Sequence, residues 1–337
     1  MKHWQQLSIQ ERLDVLEITS AKTHLPQLAV EKDWWVTMVL KALTTTRYFG
    51  LMSFKGGTSL SKGWDLINRF SEDIDIALRR EERFSISSAS SNQLAKVRRA
   101  ARHYIVRELP DEIAKALHEM EIVDFSIEPE LTKTDSAGNT SELRATTHPS
   151  TIFVRYKSIL PDESGYIEPS VKIEISCLSM DEPVEVKTIR SFMSEVLLDE
   201  EDIEVQFPTV VPARTFLEKI FLLHEEFQKE NPRSKRMSRH LYDIEKIMDT
   251  EFGKSIADRE LYEKVVTHRS IFNRIDGINY QSHSPASLSF IPPESLINDW
   301  EKDYQSMRIN FIYDDRSIPF DNLIARMKEL TARIRKL

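Results

Sequence analysis

Residues 54 to 78 read FKGGTSLSKGWDLINRFSEDIDIAL, and they set a Gly-Gly-Thr-Ser turn a short distance ahead of two aspartates, Asp73 and Asp75. Gly56 and Gly57 permit positive φ and close backbone approach, and a turn of that kind leading into a helix aims N–H groups at an anion such as phosphate. Leu60, Trp64 and Ile67 recur at helical spacing and predict a short helix after the turn. Ile74, Ile76 and Leu78 then alternate with Asp73, Asp75 and Ala77, so the period changes from 3.6 to 2 and both aspartates fall on one strand face. Two acids so placed repel unless a cation or hydrogen-bond donors compensate them. Mg²⁺ suits such a pair, because it takes one or two carboxylates and completes its shell with water and phosphate oxygens; Mn²⁺ is the alternative. An exposed strand with solvated acids also carries Asp-x-Asp, and it is the glycine turn ahead of it that favours the metal.

The elements that must position this unit lie on both sides of it. Residues 8–24 and 27–46 read as helices, the second carrying Trp35, Val39, Ala42 and Leu43 as its apolar stripe with Lys32 and Asp33 beside it, and packing over the catalytic unit is the expected role. Leu51, Met52 and Phe54 lead into the glycines as a strand. After a polar loop over residues 79–93, a charged helix runs from about Leu94 to Met120 with a break near Pro110. Residues 121–128, 151–159 and 170–177 are β-branched and alternating, hence strands, and the polar stretch from Glu130 to Ser150 reads as a hairpin tip or loop. Val171, Ile173 and Ile175 face one way and Lys172, Glu174 and Ser176 the other. Glu174 is therefore the best-placed third acid if its strand neighbours that of Asp73 and Asp75.

Residues 183–205 mix a strand with a short helix, and Pro208 and Pro212 bracket a linker, beyond which the pattern is helical to the end. The expected organisation is a first domain over 1–208 and a helical domain over 209–337. In the latter, Phe216, Ile220, Leu223 and Phe227 form one face, with Glu218 and Lys219 at its edge. A second helix turns Leu241, Ile244 and Met248 inward and sets Arg239 and Asp243 at i and i+4, the spacing of a surface ion pair. Pro292 and Pro293 precede a further helix, and Leu323, Ile324, Met327, Leu330 and Ile334 stripe the last one.

The 337 residues are 40% hydrophobic and 30% charged, an ordinary globular composition. A net charge of −8 argues against coating nucleic acid by general electrostatics, although residues 96–107 and 233–239 are locally basic. The one cysteine, Cys177, excludes a disulfide framework and reads as core. Neither a signal-like apolar stretch nor a bilayer-length run is evident, so the expected location is cytoplasmic, without membrane contact. No zinc-protease, Walker or dinucleotide-binding spacing is present.

With the glycine turn, RFSEDIDIAL, VKIEIS, TFLEK and RHLYDI in this order, the chain resembles the AbiEii/AbiGii toxin nucleotidyltransferases of the polymerase-beta-like superfamily. The resemblance runs from VEKDWWV through IPPESLINDW and implies an α+β fold. Its first part is a polymerase-beta-like nucleotidyltransferase domain, a mixed sheet flanked by helices, followed by a C-terminal helical-bundle domain. It further implies that Gly57 and Ser59 help bind the triphosphate, that Ser71 lies near the nucleotide phosphates, that Lys219 contacts phosphate and that Asp243 is a late active-site aspartate. The nucleotide-binding set is then Lys55, Gly56, Gly57, Thr58, Ser59, Arg69, Ser71, Lys219 and Arg239. The metal set is Asp73, Asp75 and Glu174, and the catalytic set adds Lys219 and Asp243, with Glu174 or Asp243 as base. The cleft is expected between the domains.

The implied reaction is Mg²⁺-dependent transfer of NMP from an NTP to an RNA acceptor, with the 3′ end of tRNA foremost, and the implied partner is a winged-helix antitoxin. A small-molecule or protein acceptor, or a nucleotide-binding regulator without transferase activity, are the rival readings.

Overall fold

The structure, a computed structural model, describes residues 3–79, 90–134, 138–161, 167–178, 183–196, 204–272, 274–313 and 317–337. Contacts divide it into two compact units, residues 1–63 with 71–209 and residues 64–70 with 210–337.

In the first unit, helix α1 (Ile9–Thr23) begins at a capping box in which Ser8 and Glu11 satisfy each other's backbone N–H groups. Helix α2 (Gln27–Leu43) is buried almost throughout, with Val30, Trp34, Val39, Leu40, Ala42 and Leu43 all fully enclosed. Strand β1 (Met52–Lys55) leads into helix α3 (Gly56–Lys62), and strand β2 (Ile74–Leu78) follows. The helix expected through Leu60, Trp64 and Ile67 ends early: Gly63 caps it and Asp65 takes positive φ (51°). Trp64 and Ile67 are apolar because they pack in the second unit, so their spacing imitated a helical stripe.

Helices α4 (Ser91–Arg107) and α5 (Leu109–Glu119) come next, the break falling where Pro110 occupies the first turn of α5. Ten residues of the expected polar loop, 80–89, lie outside the described residues. Strands β3 (Phe125–Pro129), β4 (Thr132–Thr134), β5 (Thr140–Glu142), β6 (Ser150–Tyr156), β7 (Ser170–Ser176), β8 (Val184–Ile189) and β9 (Val205–Val210) complete the unit. β4 and β5 form a separate hairpin whose residues 135–137 are undescribed; residues 197–203 between β8 and β9 are likewise outside.

The other strands make one mixed sheet in the order β3-β6-β7-β2-β1-β9-β8. β2 runs antiparallel to β1 and parallel to β7, and β1 runs parallel to β9. Pro208, expected in a linker, therefore lies inside a sheet strand next to Thr209, which pairs with Phe54. Trp35 of α2 stacks on Tyr156 of β6 with ring centroids 4.7 Å apart, tying helix to sheet.

The second unit holds helices α6 (Pro212–Glu226), α7 (Ser238–Ile247), α8 (Arg259–Phe272), α9 (Ile297–Asn310) and α10 (Phe320–Ile334). Their apolar faces are those the periodicity predicts, with Phe216, Ile220, Leu223, Leu241, Ile244, Leu323, Met327 and Leu330 all buried. Residues 64–70 join them as an extended piece. The Phe70 amide donates to the Phe311 carbonyl (2.7 Å), the Tyr313 amide to that of Asn68 (3.1 Å), and Trp64 Nε1 to that of Val210 (3.0 Å). Among the described residues no helix is long and apolar enough to cross a membrane.

Candidate active site

The parallel pairing of β2 with β7 decides where the third acid stands. Asp75 is the register partner of Glu174, and on the other side of β2 it is the partner of Lys55 on β1. Direct register partners project to the same sheet face. One row across the sheet thus reads Lys55, Asp75, Glu174 and, on β6, Thr151. Asp73 lies two residues before Asp75, immediately ahead of β2, as Lys172 lies two before Glu174 on β7.

Glu174 does not stand alone. Lys172 Nζ donates to its Oε1 at 2.7 Å, with both side chains about one-third exposed. Burial by itself would lower the Lys172 ammonium. The bond to Glu174 and the charges of Glu174, Asp73 and Asp75 instead hold it above its usual value. The fields of three acids therefore converge on one cation that composition and spacing placed on this face without giving it a role. Its signal in the sequence was the same alternation that singled out Glu174.

Gly56 explains the glycine at the head of α3. Its φ is +82°, and a Cβ built there would lie 2.1 Å from Asp75 Oδ2, so both conformation and space demand glycine. The Asp75 carboxylate lies directly against the start of α3. Thr58 and Ser59, in contrast, turn inward and are buried. The Thr58 hydroxyl is bonded to Ser71 Oγ (2.9 Å) and donates to the Asp73 carbonyl, locking α3 to the approach of β2, while Ser59 Oγ donates to the Gly56 carbonyl (3.0 Å).

A cation fits this row in part. Asp73 and Asp75 are half-buried hard oxygen donors, which suits Mg²⁺ holding one or two carboxylates. Among the described residues, however, no three His, Cys, Asp or Glu side chains are gathered as a ready-made ligand set, and Glu174, expected as third ligand, is bonded to Lys172.

In the second unit three of the expected residues meet. Arg69 grips Asp243 with two bonds, Nε to Oδ1 at 2.7 Å and Nη2 to Oδ2 at 2.8 Å, and Lys219 Nζ lies 2.8 Å from Oδ2. Asp243 is fully buried, and Arg69 and Lys219 are nearly so. The spacing that suggested a surface ion pair of Asp243 with Arg239, and the edge position expected of Lys219, thus give way to a buried ion cluster. Burial works to raise the Asp243 carboxyl, but the charges and hydrogen bonds of Arg69 and Lys219 outweigh it and hold the group well below the usual carboxylate range. Burial, joined by the charges of Arg69 and Arg239 and opposed by Asp243, draws the Lys219 ammonium down.

Of the two basic stretches, α4 exposes Lys96, Arg99, His103 and Arg107, whereas Arg102 is buried and donates to the Glu130 carbonyl (3.0 Å). In the other stretch, Arg233 Nη2 is bound to the buried Glu226 at 2.8 Å.

An acid row thus stands beside a glycine of forced positive φ on a mixed sheet flanked by helices. In fold the chain is similar to MenT4, a nucleotidyltransferase toxin from Mycobacterium tuberculosis, with TM-score 0.58 and 16% identity over 96% of this chain and 90% of that one. It also matches JHP933 from Helicobacter pylori, with TM-score 0.44 and 17% identity over 93% and 94% of the two chains. A comparison with curated protein sequences gives no match. Residues 39–326 match the model of the nucleotidyl transferase AbiEii toxin family of type IV toxin–antitoxin systems, and the chain belongs to that family. It is accordingly a nucleotidyltransferase of the toxin type, with an NTP as substrate and an antitoxin as partner.

Proposed function

We propose that the protein transfers an NMP from an NTP to an RNA hydroxyl, foremost the 3′ end of a tRNA, and that Asp73 and Asp75 form the metal-binding part of its active site. The observation that carries the reading is the contact of the Asp75 carboxylate with Gly56 in the same sheet row as Glu174. In the reaction an acceptor oxygen forms a bond to the α-phosphorus, the α-phosphorus bond to the bridging oxygen breaks, and pyrophosphate leaves. Mg²⁺ bound at the pair would supply charge neutralisation for attacking and leaving oxygens.

The chain's own residues supply placement and charge. Asp73 and Asp75 hold their carboxylates on one face, and Gly56 leaves room for the second of them. Lys172 offsets the acids, and Lys55, in the row of Asp75 and Glu174, offers a cation to phosphate oxygens. Glu174, partly exposed, is the proton acceptor for the acceptor hydroxyl. Asp243 is unsuited to that task, because a fully buried carboxylate held ionised by two cations is a weak base. Its role is to hold Arg69 and Lys219 in place. The phosphate contacts that the family resemblance implies for Lys219, Arg69, Arg239 and Ser71 are assigned on that resemblance, and NTP titration of Lys219→Met tests them.

The exposed basic residues of α4 favour RNA over a small molecule as acceptor, and the antitoxin is proposed to be of the winged-helix type. Incubation with Mg²⁺, each labelled NTP and total RNA is the test. Label on tRNA-sized RNA that disappears in Asp73→Ala supports the reading. Label on small molecules or protein moves the acceptor class, and NTP binding without transfer makes the protein a regulator.

A further inference from the structure

Helix α2 carries three consecutive charges, Glu31, Lys32 and Asp33, each no more than 4% exposed. Successive helical positions are about 100° apart, so the three fan around much of the helix and cannot share a partner. Each reaches a different segment. Glu31 accepts from the hydroxyl of Ser158 and the amide of Ile159, just beyond β6. Lys32 Nζ donates to Glu72 Oε2 at 2.8 Å and to the Glu168 carbonyl at 3.1 Å. Asp33 pairs with Lys62 and accepts from the Phe192 amide at 2.8 Å.

Stability alone does not account for this arrangement. Buried ion pairs lose much of their attraction to desolvation, and an apolar set of similar volume is often as stable or more so. α2 already buries Val30, Trp34, Trp35, Val36 and Met38 in the same two turns. What distinguishes the charges is where they grip. Lys62 is the last residue of α3, whose first is Gly56. Glu72 stands between Ser71 and Asp73, and Glu168 precedes β7, which bears Lys172 and Glu174.

We propose that Lys32 and Asp33 are positioning residues for nucleotidyl transfer: the Lys32–Glu72 and Asp33–Lys62 pairs set the placement of the glycine helix relative to the two aspartates. Thr58 fastens α3 to the same segment through Ser71 and Asp73, so α3 is held at its start by Thr58 and at its end by Asp33. Reacting groups misplaced by about 1 Å lose on the order of 10²-fold in rate, so a small slip of α3 against β2 would be felt in kcat. The inference rests on the reading of Asp73 and Asp75 as metal-binding.

The test replaces a pair by apolar groups instead of breaking it. Lys32→Met with Glu72→Leu is expected to keep or raise the urea midpoint while kcat falls by about 10- to 100-fold, with NTP binding by the protein retained. Lys32→Arg, which keeps the charge, is expected to recover most of the rate. A stable double variant with wild-type kcat overturns the proposal, and so does a loss of kcat that merely follows loss of stability across the series. If the double variant does not fold, Glu72→Gln carries the test, since Glu72 is the more exposed partner with 14% of its side chain accessible; full kcat there overturns the proposal and a tenfold loss in a folded protein supports it. Asp73→Asn is measured in parallel. Transfer surviving in Asp73→Asn defeats the metal-site reading itself, whereas its loss beside a fully active Lys32→Met/Glu72→Leu variant defeats only the positioning role.

Discussion

Two of the molecule's groups of acids and cations look alike on paper and differ in their exposure. In the first unit Asp73, Asp75 and Glu174 act on Lys172, and all four side chains keep some access to solvent. In the second unit one acid, Asp243, is buried between Arg69 and Lys219. The first group keeps its acids within reach of solvent, where a cation or a substrate can meet them. The second has more cation than acid, but its carboxylate is saturated with hydrogen bonds and its geometry is closed. Clustered charge in a folded chain is thus open to an ion or a substrate only where it is reachable, whereas a buried cluster holds its own members in place.

The sharpest way to break this comparison is to neutralise one acid of the open group. Asp73→Asn or Asp75→Asn is expected to reduce NMP transfer on the order of 10³-fold, about 4 kcal/mol of transition-state stabilisation, with little change in the thermal midpoint; label-transfer assays beside calorimetry measure both. Next in size, Gly56→Ala forces an L-residue into positive φ and drives its Cβ onto Asp75, so transfer should fall on the order of 10²-fold, and a crystal structure should show the Asp75 carboxylate displaced. For the closed group the expected damage is to stability. Asp243→Asn leaves Arg69 and Lys219 buried without their acid and should cost about 3–5 kcal/mol, read as a lowered urea midpoint.

That third variant also carries a pH signature. Because the folded Asp243 carboxyl lies below its unfolded value of about 4, its contribution is complete above that value and is lost as pH falls through the depressed folded one. Wild-type stability should therefore decline on acidification through this range more steeply than that of Asp243→Asn, measured by denaturant melts across the acid range. The smallest effect belongs to Lys172→Met. Removing a partly exposed counter-ion worth about 0.2–1 kcal/mol should lower the Mg²⁺ concentration needed for half-maximal transfer by up to about fivefold. An increase in that requirement would mean that Lys172 acts on the substrate and not on the acids.

Local pattern made much of the sheet and many helices legible. The alternation through Ile74, Ile76 and Leu78 set β2, and the stripes of α6, α7 and α10 were read from their 3.6-residue period, because each element buries one face against its own unit. The adjacency of Glu174 to the aspartates had to be left conditional, since strand order is not a local property; the β2–β7 register supplies it. The misreadings have the same origin. The i, i+4 rule offered Arg239 as the partner of Asp243, while the residue that grips it, Arg69, is 174 positions away. Trp64 and Ile67 fell at helical spacing from Leu60 but belong to a different packing environment. Pro208 read as punctuation, and it occurs within a strand that pairs with β1 only at Thr209. Lys32 and Asp33 were placed beside the apolar stripe of α2 without partners, because buried partners distant in sequence leave no periodicity.

Residues 64–70 have a further consequence for inheritance. The chain leaves the first unit after α3, contributes seven residues to the second and returns at Ser71. A gene ending at codon 209 would still encode those seven residues, with Arg69 deprived of the aspartate it grips. A C-terminal half exchanged as one cassette would meet an Arg69 encoded by the other parent. The second unit is thus assembled from two distant stretches of the gene.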